Sequence, residues 1–280
     1  MRKPRVALET TLLIHGVPRS EAVGLARALD AIVRGAGAEP AVVGVIEGAP
    51  VVGMTMAQLE AMLALMEVPK LNSANLGVAL ARRQTGATTV STTMELAAAA
   101  GVRVFATGGI GGVHKGFAQT MDISADLAAF TRFPVAVVTS GCKSILEVEA
   151  TREALETLGV PVVGYRCDRF PAFYQRESAA RVDARFDDLA ELKAFVHGEL
   201  ARTGRGIVVC NPIPVEFEIS ENEFAAWLAG AEQEAVERGA GGRDATPAVL
   251  GALHRISGGR TLRANVELVK SNAGVAGRIA

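Results

Sequence analysis

Val135-Ala-Val-Val-Thr-Ser-Gly-Cys-Lys143-Ser-Ile-Leu146 is the stretch on which the fold turns. Val135 to Thr139 reads as a buried strand, and the spacing beyond the glycine predicts a helix over Lys143 to Leu158. Further apolar runs fall at Val6–Leu8, Ala41–Ile46, Val51–Met54, Val102–Ala106, Val160–Gly164 and Ile207–Cys210. Helical patterns lie between them. Ser20–Arg34 places Leu25, Leu29 and Ile32 on one face, and Thr55–Met66 does the same with Leu59, Met62, Leu63 and Met66. Asp188–Leu200 carries Leu189, Leu192, Phe195 and Val196, and the chain beyond residue 220 is mostly helical. Alternating strand and helix predicts an α/β chain, a layered α/β/α fold with a mainly parallel central sheet. Residues 1–280 read as a single domain, and Arg238-Gly-Ala-Gly-Gly-Arg243 is the one linker-like segment.

Composition narrows the function classes. The chain has 280 residues, 49% of them hydrophobic, which is enough for a large core. Its 29 basic and 30 acidic residues give a net charge of −1, so no basic surface for nucleic acid or anionic membrane is expected. Aromatics at 5% are too few for base-stacking platforms. No apolar run reaches the roughly 20 residues a bilayer span needs, and Glu9 interrupts the first apolar run too early for a signal peptide. Cys142, Cys167 and Cys210 are odd in number and widely spaced, which argues against disulfides or a zinc cluster. A cytoplasmic protein is the expectation. Only six of the 29 basic residues are lysines, so each lysine has a better chance of a dedicated role.

Ligands of parallel sheets collect beyond the carboxyl ends of the strands. Glu9 closes the first strand there. In a desolvated cleft its pKa rises and it passes protons near neutrality; at an edge it is a plain surface glutamate. Thr107-Gly-Gly-Ile-Gly-Gly-Val-His-Lys-Gly116 fits neither a dinucleotide fingerprint nor a Walker loop, and reads as an anion cradle or as a tight turn. Asp122 and Asp126 would share a face if both were helical and could hold Mg²⁺ or Mn²⁺; Asp122 or Ser124 could equally cap a helix. Gly86 to Thr93 offers hydroxyls to a heterocycle or phosphate, or is simply a Thr-rich strand and cap. Lys143, at an expected helix N-terminus, reads as a Schiff-base lysine with a lowered pKa or as a point charge for phosphate. Cys142 reads as buried filler, and His197 and His254 as structural or surface residues.

Together these segments resemble the pseudouridine-5′-phosphate glycosidase family, which includes the proteins called indigoidine synthase A. The resemblance runs through Glu9-Thr-Thr, His15-Gly-Val-Pro, Gly86-Ala-Thr-Thr-Val and the glycine block to Asp122-Ile-Ser-Ala-Asp-Leu. It continues with Lys143-Ser-Ile-Leu, Phe170-Pro-Ala-Phe-Tyr, Asn211-Pro-Ile-Pro and Asn265-Val-Glu-Leu-Val. It implies reversible cleavage of the C–C bond of pseudouridine 5′-phosphate to uracil and ribose 5-phosphate, through a lysine imine with the ring-opened sugar. Lys143 matches the nucleophile, Glu9 the proton donor, and Asp122 the ligand of one Mn²⁺ per subunit. Lys70, Val90, Ser124, Ala125 and Asp126 match substrate contacts, with Thr89, Thr107, His114 and Asn265 added to them. A homotrimer is implied as well. The chain departs from the family after Lys70, where Leu-Asn-Ser-Ala-Asn-Leu replaces a Ser-Arg-Arg-Asp-Leu run. That departure supports a second reading: a C-glycosynthase joining ribose 5-phosphate to another heterocyclic or aromatic ring.

Overall fold

The computed structural model describes residues 3–237 and 245–280, so the linker-like segment 238–243 lies outside the described residues. Ten strands form one sheet. They are β1 (Arg5–Glu9), β2 (Glu39–Ile46), β3 (Ala49–Val52), β4 (Lys70–Leu71) and β5 (Gly86–Thr88), then β6 (Val104–Ala106), β7 (Ala136–Thr139), β8 (Val162–Tyr165), β9 (Ala184–Phe186) and β10 (Ile207–Cys210). The order is β4-β5-β2-β1-β6-β7-β10-β8-β9, with β3 paired to β2. Only the β2–β3 and β2–β5 pairings are antiparallel. The mainly parallel sheet expected from the sequence is therefore present.

Twelve α-helices are described. The first six are α1 (Thr10–His15), α2 (Arg19–Gly35), α3 (Met56–Ala64), α4 (Leu76–Ala81), α5 (Val90–Ala99) and α6 (Phe117–Thr120). The rest are α7 (Ala125–Phe130), α8 (Val148–Thr157), α9 (Leu189–Thr203), α10 (Glu221–Glu237), α11 (Ala245–Ile256) and α12 (Arg260–Ile279). None of the described helices is long and apolar enough to cross a membrane.

Side chains alternate across each strand and so feed two cores. Val6 and Leu8 of β1 join α1, α2, α9 and α12 on one face. Ala7, between them, joins α4, α5, α7 and α8 on the other. Full burial of both faces explains why the central strands read as continuous apolar runs rather than alternating ones.

One expected helix is shorter. α8 begins at Val148, not Lys143. Residues 141–147 instead run beside the glycine block: Ile110 N–H donates to the Gly141 carbonyl, Lys143 N–H to Ile110, and Glu147 N–H to Val113. These bonds satisfy buried backbone groups of both segments and take the place of helical ones. Lys143 therefore sits in a loop, and the helix-dipole argument made for it falls away.

Candidate active site

The strand register builds the site. β1 and β6 pair in parallel with Leu8 opposite Ala106, so Glu9 and Thr107 emerge side by side. β7 lies next to β6, and the loop after it carries Lys143. All three strand ends open onto one cleft. Glu9, Lys70 and Lys143 line both of its lobes, together with Thr11 and Ile145.

The first lobe holds Thr89, Val90, His114, Asp122, Ser124, Ala125 and Asp126, and also Asn72. The second holds Thr107 and Asn265 with Leu12, His15, Phe173, Tyr174 and His254. Every residue expected at the site thus lines one cleft, although the first and last lie 256 positions apart (265 minus 9).

Glu9 is buried and receives a hydrogen bond from the Thr107 hydroxyl. Burial raises its carboxyl from the ordinary 4.5 to about 7; Lys143 and Thr107 oppose the rise, and Asp126 adds to it. Of the two readings of Glu9, the desolvated acid is the one the fold provides. Lys70 is pushed below the usual lysine range, chiefly by burial and then by repulsion from Lys143, while Glu9 pulls the other way. Cys142 and its neighbours Cys167 and Cys210 are free, buried thiols. Burial pushes Cys142 up to about 12, so it is no nucleophile and the filler reading stands.

Two expectations need correction. Asp122 and Asp126 do not share a helix face, because α7 starts at Ala125 and Asp122 precedes its cap. Ser124 is that cap, accepting from the Asp126 N–H at 3.2 Å. Asp126 is turned inward: its two oxygens accept from Ser91 N–H at 2.9 Å and Gly111 N–H at 2.8 Å. The second concerns the glycine block as an anion cradle: its lysine, Lys115, pairs with Glu232 at 2.9 Å.

The glycine block itself is mainly a packing device. A Cβ on Gly109 would lie 2.5 Å from the Phe173 ring, on Gly111 2.3 Å from Ser124 Oγ, and on Gly112 2.3 Å from Thr151 Oγ1. The amides of Ile110, Gly111, Val113 and His114 are already hydrogen-bonded within the protein. The tight-turn reading therefore accounts for more of the block than the anion cradle does. The Thr-rich segment divides similarly. Thr88 and Thr93 form an internal hydroxyl chain to the Val43 carbonyl, whereas Thr89 and Val90 face the cleft.

A divalent ion was expected at Asp122. Among the described residues no group of three or more His, Cys, Asp or Glu side chains could hold a metal. Asp122 is exposed, with His114 Nδ1 3.9 Å from its Oδ2. A single open carboxylate suits a hard ion that keeps several waters and takes substrate phosphate oxygens, and does not suit an all-protein cage.

The sequence reading gave no role to several lining residues. Phe173 and Tyr174 stack edge to face, with ring centroids 4.7 Å apart and planes at 77°. Phe173 adopts φ +62°, in the left-handed region, while buried against the glycine loop. Ser144 secures it: its hydroxyl donates to the Ala172 carbonyl at 2.5 Å and accepts from Tyr174 N–H at 3.2 Å. The Phe-Pro-Ala-Phe-Tyr run was a visible signal, an aromatic cluster after a strand, but only the fold sets it against residue 143.

Known proteins resemble the chain along its whole length. Residues 1–280 match the family described as Indigoidine synthase A like protein. The chain belongs to the indigoidine synthase A-like family. A protein of Solibacter usitatus named pseudouridine-5′-phosphate glycosidase is 45% identical, covering 100% of this chain and 94% of its own. One of Methylobacterium nodulans with the same name is 47% identical, covering 99% and 82%. Among solved structures, an indigoidine synthase A-like protein from Thermotoga maritima superposes with a TM-score of 0.90 at 38% identity, over 99% of this chain and 92% of that one. The prealnumycin C-glycosynthase AlnA, in complex with ribulose 5-phosphate, gives the same TM-score of 0.90 and 38% identity, over 99% and 90%.

Proposed function

We propose that this family member cleaves and forms the C–C glycosidic bond of pseudouridine 5′-phosphate, with uracil and ribose 5-phosphate as the other pair. The observation that carries the reading is Glu9, raised to about 7, sharing a cleft with Lys143. An acid able to donate near neutrality beside an amine is what ring opening and imine formation need. Relatives at 45–47% identity bear that activity in their names.

In the cleavage direction, the Lys143 nitrogen bonds to C1′ as the C1′–O4′ bond breaks, and O4′ takes the proton held by Glu9. The nitrogen lone pair then forms C=N while the C1′–C5 bond breaks. The bond pair stays on ring carbon C5, which takes the proton that the nitrogen gave to the Glu9 carboxylate after bonding to C1′. Water hydrolyses the imine, returning the amine and releasing the sugar aldehyde. Carbon is too poor a leaving group for ordinary two-carboxylate hydrolysis, so the nitrogen lone pair supplies the push that expels C5 and leaves an imine.

Lys70, Thr89, Val90, His114, Ser124 and Ala125 are placed to hold the sugar phosphate; Asp126 supports them from behind. Asp122, with water and phosphate oxygens, would hold Mn²⁺, which supplies charge neutralisation at the phosphate when bound. Thr107 and Asn265 face the ring. One 280-residue domain, a homotrimer and a cytoplasmic location complete the reading, carried by the family resemblance.

Borohydride reduction with ribose 5-phosphate tests it. The expected result is a stable sugar-phosphate adduct on Lys143 in the wild type and none in Lys143→Ala. An adduct elsewhere, or none in the wild type, overturns the mechanism. A second reading, synthesis with a larger ring, draws on the apolar Leu12, Ile145 and Phe173 of the second lobe and on the likeness to AlnA. Ribose 5-phosphate with uracil separates the two: rapid formation of pseudouridine 5′-phosphate favours the first.

A further inference from the structure

The second lobe ends in a group that the proposed reaction does not use. Leu12, Ile145, Phe173 and Tyr174 form an apolar wall, and His254 of α11 stands among them. An imidazole on such a wall costs desolvation unless its nitrogens are paired. One is: Nδ1 lies 2.8 Å from Thr261 Oγ1. Thr261 is fully buried and fixed in turn, with Ser257 Oγ at 2.9 Å and the Tyr174 phenol also bonded to it. Among the described residues Nε2 has no partner.

Burial, opposed by Glu21, holds His254 below the usual histidine range, so near neutrality the ring offers one donor and one acceptor. Asn265 repeats the pattern on the same wall. Its Nδ2 donates to the Gly16 carbonyl at 3.1 Å, while its Oδ1 is buried with no partner. An amide anchored that way keeps an open acceptor in Oδ1 and one further N–H. Each side chain thus has one atom fixed by the protein and one left unanswered. Buried polar atoms are nearly always satisfied, so the open Oδ1 of Asn265 points to a ligand donor, and half-buried His254 lines the same lobe.

We propose that His254 is a specificity-determining residue for the leaving ring, hydrogen-bonding the ring's polar edge through Nε2 while Thr261 holds Nδ1. The inference rests on the proposed function and deepens it by defining the ring. The ring is planar, to lie against Phe173 and Tyr174. It presents an N–H or O–H to Asn265 Oδ1 and a second polar atom to His254. Uracil meets these conditions; a plain hydrocarbon ring does not.

Two substitutions separate the two nitrogens. His254→Asn places an amide where Nδ1 was, keeping the Thr261 contact but losing the group that faces the ligand. His254→Gln reaches the Nε2 position. Uracil binding to the full-length wild type and both variants is measured by calorimetry without sugar, and borohydride capture with ribose 5-phosphate is run on separate samples of the same proteins. The expected result is uracil binding weakened about tenfold in His254→Asn and less than about threefold in His254→Gln, with capture unchanged in both. The reverse order shows that the imidazole serves Thr261 alone and overturns the proposal. Equal affinities, or no uracil binding by the wild type, overturn it too. Capture answers the separate question. A wild type that binds uracil in the expected order yet captures no sugar overturns the lysine chemistry and leaves the role of His254 standing.

Discussion

The Thr107 hydroxyl donates to the Glu9 carboxylate from the end of the neighbouring parallel strand. This bond lowers the Glu9 pKa against the larger effect of burial. Replacing Thr107 with Val removes the donor and keeps the shape, so the Glu9 pKa is expected to climb further. In a pH profile of C–C cleavage, the limb assigned to Glu9 should move to higher pH than in the wild type. An unmoved limb would show that another group controls it.

Glu9 also ties stability to pH. Its native value of about 7 lies above the ordinary 4.5, so the folded state binds this proton more tightly than the unfolded state. Its contribution is complete below 4.5 and is lost as pH rises through 7. At about 1.4 kcal/mol per unit, the loss is about 3 kcal/mol. Glu9→Gln accepts the same Thr107 bond without a charge. Its stability relative to the wild type should therefore rise by about 3 kcal/mol between roughly pH 4 and pH 8, read by denaturant titration. A gap independent of pH contradicts the assignment.

Asp126 should behave as a structural residue. Removing its carboxylate strands the buried N–H groups of Ser91 and Gly111. Asp126→Ala is expected to lose about 2–5 kcal/mol of stability. Asp122→Asn, at an exposed carboxylate, should leave the melting temperature unchanged while raising the Mn²⁺ concentration needed for half-maximal activity.

Gly141 allows no side chain. It has φ +80°, and a Cβ would stand 1.7 Å from the Pro171 carbonyl oxygen. Gly141→Ala is expected to cost about 3 kcal/mol or more and to displace the loop that carries Lys143. A variant that melts like the wild type would mean that the 171–174 segment moves freely. Ser144→Ala, which frees that same segment, should lower kcat for C–C cleavage about tenfold with a much smaller change in KM.

Much of this was legible in the chain. The buried strands β6, β7 and β10 stand out because their apolar runs end abruptly in glycine or asparagine. Lys143 and Glu9 stood out for a different reason: each is an ionisable residue directly beyond such a run. The helix over Lys143–Leu158 was misread because Ser144, Ile145 and Leu146 have acceptable helical spacing. The backbone partners of the flanking Lys143 and Glu147, Ile110 and Val113, are more than 30 positions away, and no local window contains them. The inward turn of Asp126 was hidden likewise, since Ser91 and Gly111 lie in two separate segments. His254 looked like an ordinary helix residue because nothing local tells which face of α11 meets the cleft.

The sheet order has one more consequence. Glu9 and Lys143 follow β1 and β7, with β6 alone between them. Two steps of about 4.8 Å therefore set the ends of β1 and β7 near 10 Å apart, and the loop after β7, tied to Ile110, carries the amine on from there. The wall facing the ring comes from α1, α11, α12 and the 171–174 segment, none of which is a strand. Bond-making geometry thus starts from the sheet and the wall from the elements around it, and the two meet where Gly141 packs against Pro171 and Ser144 bonds Ala172. Leu12 and His254 lie away from that junction, so substitutions there alter the wall and leave the loop of Lys143 in place.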